Sequence, residues 1–149
     1  PPPPRFQAED GIRDSVNGLV GSEMCIRDSL GNPRAAAEHL LAALTDTGIH
    51  WYDDADFWPL QFAATVISDR SAAAVLVGAA CAAYERSVID QPAFVVAELR
   101  AVTERLESEF DPEELGRLLR AGGRRTRQEA IDIARAQLAS FIEEQRATT

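Results

Sequence analysis

Lysine is absent: all 15 basic residues of this 149-residue chain are arginine. That excludes a G-x-x-x-x-G-K-[S/T] phosphate loop, whose lysine reaches the bound phosphates. Long apolar runs are missing as well. The longest, residues 72–84, falls short of the roughly 20 apolar residues that a helix needs to cross a bilayer. No stretch alternates apolar and polar residues as a half-buried strand does, and no hairpin signal joins two such stretches. Positive charge is scarce too. With 24 acidic residues the chain carries a net charge of −9, which disfavours binding driven by nucleic-acid phosphates.

Residues 7–29 carry a resemblance that bears on origin. Gln7-Ala8-Glu9-Asp10-Gly11-Ile12-Arg13-Asp14 resembles the codon-by-codon translation of a short-read flow-cell adapter. Leu19-Val20-Gly21-Ser22-Glu23-Met24-Cys25-Ile26-Arg27-Asp28 resembles that of a transposon adapter with its mosaic end, whose last two bases open the Ser29 codon. Ser15, Val16, Asn17 and the first base of Gly18 fill a gap of common sample-index length, and Pro1 to Pro4 fit a run of C. The resemblance implies that residues 1–29 are a disordered or non-native segment whose motifs carry no function. Segments of such origin are set aside before fold reasoning. It also implies that the natural sequence starts at Leu30, inside a longer protein.

Three basic and five acidic residues fall in the segment set aside, so residues 30–149 keep a net charge of −7. Arginine as the sole basic residue, beside a heavy alanine load, suggests a GC-rich genome. Cys81 is then the single natural cysteine. It has no internal disulfide partner and is expected to pack as a small hydrophobe in a reducing cytoplasm.

Helix signals recur along residues 30–149. Asn32 can cap a helix with Pro33 at its first position, where a missing N–H costs nothing, and Leu40, Leu41 and Leu44 supply the apolar pattern. Gly48 fits its end. After a connection through His50-Trp51-Tyr52-Asp53-Asp54, Pro59 suits the first turn of a second helix with the stripe Leu60, Ala63, Ala64 and Ile67. Ser71 is a cap for a third helix from Ala72 to about Glu85. This helix is apolar on nearly all sides, which predicts burial between neighbours. Gly78 in its middle costs roughly 1 kcal/mol relative to alanine, a loss that a close helix crossing would offset. Asp90 is the expected cap of a fourth helix bearing Phe94, Val95, Leu99, Val102 and Leu106. Asp111-Pro112-Glu113-Glu114 opens a fifth, which Gly122-Gly123 ends. Thr126 and Glu129 form a capping box for a last helix with Ala130, Ile131, Ile133, Ala134, Leu138 and Ile142. The expected fold is all-α: about six helices in stacked antiparallel hairpins of tetratricopeptide-like kind.

Two segments carry a family resemblance. Ala74-Val75-Leu76-Val77-Gly78-Ala79-Ala80 resembles the "A-x-L-L-G-A-A" helix of the carboxy-terminal helical-repeat region of large bacterial regulators, LuxR-type and related ATPases, often actinobacterial. Residues 110–122, followed by Thr126 and Glu129-Ala130 to Ala134, resemble the closing pattern of that region: a short helix, a glycine turn and a capped "E-E-A" helix. The resemblance implies a non-catalytic scaffold that contacts a partner or ligand and restrains attached ATPase and DNA-binding parts. No catalytic, cofactor-binding or metal residue is carried over, and neither cofactor nor direct nucleic-acid or membrane contact is expected of this segment.

Candidate functional residues are few. His50, Asp53, Asp54 and Asp56 could bind a divalent cation, as in a small metal-dependent enzyme, but the same acids also favour the start of the next helix. Trp51, Tyr52, Phe57 and Trp58 form the densest aromatic cluster. Such residues serve as interface hot spots and equally as the buried seam between two hairpins. Arg117, Arg120, Arg124, Arg125 and Arg127 make a basic patch suited to a solvated face or a contact with another domain. His39 reads as a helix residue and Cys81 as core, since the run around that thiol supplies no base. A stand-alone protein-binding adaptor remains an alternative to a segment of a regulator.

Overall fold

The computed structural model describes residues 31–45, 58–87 and 90–149. The expectations for residues 1–29, and for Gly48 as a helix end, lie outside them. The described residues are all-helical, with six helices and no strand. They are α1 (Pro33–Thr45), α2 (Trp58–Val66), α3 (Arg70–Arg86), α4 (Ala93–Glu109), α5 (Pro112–Gly123) and α6 (Arg127–Ala147).

Local chemistry accounts for most of the starts. The Ala35 N–H donates to the Asn32 side chain at 3.2 Å, and Pro33 takes the first helical position. Asp111 accepts from the Glu113 and Glu114 N–H groups, with Pro112 next in line. Thr126 and Glu129 close both halves of the capping box, at 3.2 and 2.8 Å.

Two expected caps are corrected. Asp69, in extended conformation, caps α3 by accepting the Ala72 N–H at 3.0 Å, so Ser71 falls inside the first turn. A carboxylate offers the positive helix end a full charge where a hydroxyl offers only a dipole. At α4 the cap position is Pro92, without a side-chain bond, and Asp90 lies too early. The residue before a proline is pushed out of helical conformation, which keeps Gln91 from opening a helix capped by Asp90.

One hydrophobic core draws residues from all six helices. Leu40 of α1, Leu60 and Phe62 of α2, Leu76 and Val77 of α3, Leu106 of α4, Leu115 of α5 and Leu138 of α6 all lie in it. Apolar α3 packs against α2, α4, α5 and α6, which answers its all-round apolar surface. Helix α1 packs on α6 as well as on α2, so the first and last helices meet. Phe141, three residues after Leu138 and on the same face of α6, is also buried there.

Helices α3 and α5 pack backbone against backbone, and two glycines permit it. A Cβ at Gly78 would overlap the Leu119 carbonyl oxygen and stand 2.8 Å from the Leu119 Cα. Reciprocally, a Cβ at Gly122 would overlap the Val75 carbonyl oxygen and stand 3.0 Å from the Ala79 nitrogen. Helix α5 does end at Gly123, but no described glycine has a positive φ. Gly122 is therefore required for close approach, not for backbone freedom at a helix end.

Candidate functional site

Of the expected aromatic surface, Trp58 alone is among the described residues. Trp51, Tyr52 and Phe57 lie outside them, as do the candidate metal donors His50, Asp53, Asp54 and Asp56. Trp58 opens α2, packs half-buried against the core, and meets Phe62 edge to face at a centroid distance of 5.9 Å. That geometry suits the opposed charges of ring edge and ring face. Among the described residues no three His, Cys, Asp or Glu side chains gather as a metal site, and no helix is long and apolar enough to cross a membrane.

Two polar junctions escaped the sequence reading. Gln61 is the one buried polar side chain among the described residues. Its amide donates to the Val95 carbonyl at 3.0 Å, and its carbonyl accepts from the Tyr84 hydroxyl at 3.0 Å. It thereby joins α2 to α4 and α3, and both ends of the amide are satisfied, as burial demands.

Arg70 makes the second junction. Its Nη1 donates to the Ala64 and Ile67 carbonyls at 3.1 and 3.3 Å, covering acceptors left free where α2 ends. Its Nε donates to Glu109 at 2.6 Å, and Arg105 donates to the other oxygen of that carboxylate at 3.1 Å. The Arg70 hydrogen bond is the largest cause holding the Glu109 carboxyl below its ordinary value, with Arg105 assisting. Three helix ends meet at this pair.

Cys81 is half-buried, and burial followed by the charge of Glu85 pushes its thiol above the ordinary value. Its side chain packs against the hydrophobic core, and a raised thiol pKa lowers the share of the nucleophilic thiolate.

Shallow grooves also lie among the described residues. One, of about 490 Å³, lies between α1 and α6, with Leu41, Ala42 and Ile142 in its lining and Glu38, Glu143 and Arg146 at hand. Another, of about 340 Å³, runs along the start of α5 between Asp111, Glu113, Glu114, Arg117 and Arg120. Neither gathers the nucleophile, base and orienting group that catalysis of acyl transfer would need. The patch Arg117, Arg120, Arg124 and Arg125 is exposed, and Arg127 is half-exposed. No family model, curated protein or solved structure matches the chain.

Proposed function

We propose that residues 30–149 are a non-catalytic helical-repeat scaffold or interaction segment from the carboxy-terminal part of a bacterial ATPase-type transcriptional regulator. The observation that carries this reading is the α3–α5 crossing. The two segments with the family resemblance, residues 74–80 and 110–122, supply Gly78 and Gly122, whose missing side chains let the two backbones touch. The resembling residues are thus the ones the packing depends on. A continuous core through six helices supports the same reading, since isolated helical hairpins cannot bury their apolar faces alone. So do Gln61, whose amide oxygen and nitrogen both join helices, and Arg70, whose Nε and Nη1 do the same.

In this role the segment transmits contact with a partner protein to the attached nucleotide-binding and DNA-binding parts, within the cytoplasm. Residues 1–29 are adapter-derived and take no part. Amplifying and sequencing the source DNA upstream of Leu30 tests the proposal. Native coding sequence leading into a nucleotide-binding core is the expected result. A start codon just before Leu30 would overturn it and make the chain a stand-alone adaptor.

A further inference from the structure

We draw no further inference here: the strongest candidate, the shallow groove between α1 and α6 lined by Leu41, Ala42, Ala139 and Ile142, is an apolar face whose neighbouring acids Glu38 and Glu143 are already paired with Arg34 and Arg146, and nothing in the structure shows what covers it.

Discussion

One methyl group is enough to test the α3–α5 crossing. At Gly78 or Gly122 an added Cβ would collide with backbone of the facing helix, which cannot swing aside as a side chain can. Gly78→Ala and Gly122→Ala are each expected to cost at least about 2 kcal/mol through overpacking, read as a lowered midpoint in urea. Gly116 sits in the same helix as Gly122, yet a Cβ there meets only the end of the flexible Arg120 side chain. Gly116→Ala is therefore expected to gain about 0.5–1 kcal/mol from helix propensity. Equal effects at the three positions would show that propensity, not contact, governs them. The sequence alone raised Gly78 as an anomaly within an apolar helix. It could not raise Gly122, because a glycine at a helix end already has a sufficient local explanation.

At the scale of helices, the caps offer a paired test at the start of α3. Asp69→Ala removes the acceptor of the Ala72 N–H and is expected to cost about 1 kcal/mol. Ser71→Ala, at an exposed first-turn position, is expected to change stability by less than about 0.5 kcal/mol, and the reverse order in thermal melts would refute the assignment. Caps and apolar stripes were largely legible in the sequence because both depend on neighbours within one or two turns. The stripe Leu60, Ala63, Ala64 and Ile67 is buried throughout, and the Thr126–Glu129 box forms as its spacing implies. What stayed hidden depends on partners far along the chain. Arg70 gains its role from Glu109, thirty-nine residues away, and Gln61 from Val95, thirty-four away. The aromatic surface was legible only as a cluster, and Trp58 alone of its members has a described setting. The Arg70–Glu109 pair sets a further expectation. Because the folded state holds the Glu109 carboxyl below its ordinary value of 4.5, its contribution is fully present above that pH. It is lost as pH falls through the lower folded value. Glu109→Gln should destabilise the protein at neutral pH and flatten the acid limb of stability against pH. An unchanged acid limb would show that the pair contributes nothing.

For the whole molecule, the meeting of α1 with α6 decides what counts as the folding unit. Contacts between the first and last helices are long in sequence, so they tie nearly the whole described length into one unit. Leu40 of α1 has no solvent exposure and belongs to the same core as Leu138 and Phe141 of α6. Leu40→Ala is accordingly expected to cost about 2–5 kcal/mol and to lower the stability of the whole domain in one transition, not to fray α1 alone. Unfolding of a Trp51→Phe variant, followed by circular dichroism and by Trp58 fluorescence, should give coincident curves if a single core is lost. Separate transitions would mean that α1 is a dispensable addition. The same assay bears on residues 1–29. If they are adapter-derived, no core residue depends on them, so a chain beginning at Leu30 should keep its helical signal per residue and its cooperative melt. Collapse of that shortened chain into a molten or unfolded state would give residues 1–29 a structural role, which no translated adapter has been selected to supply.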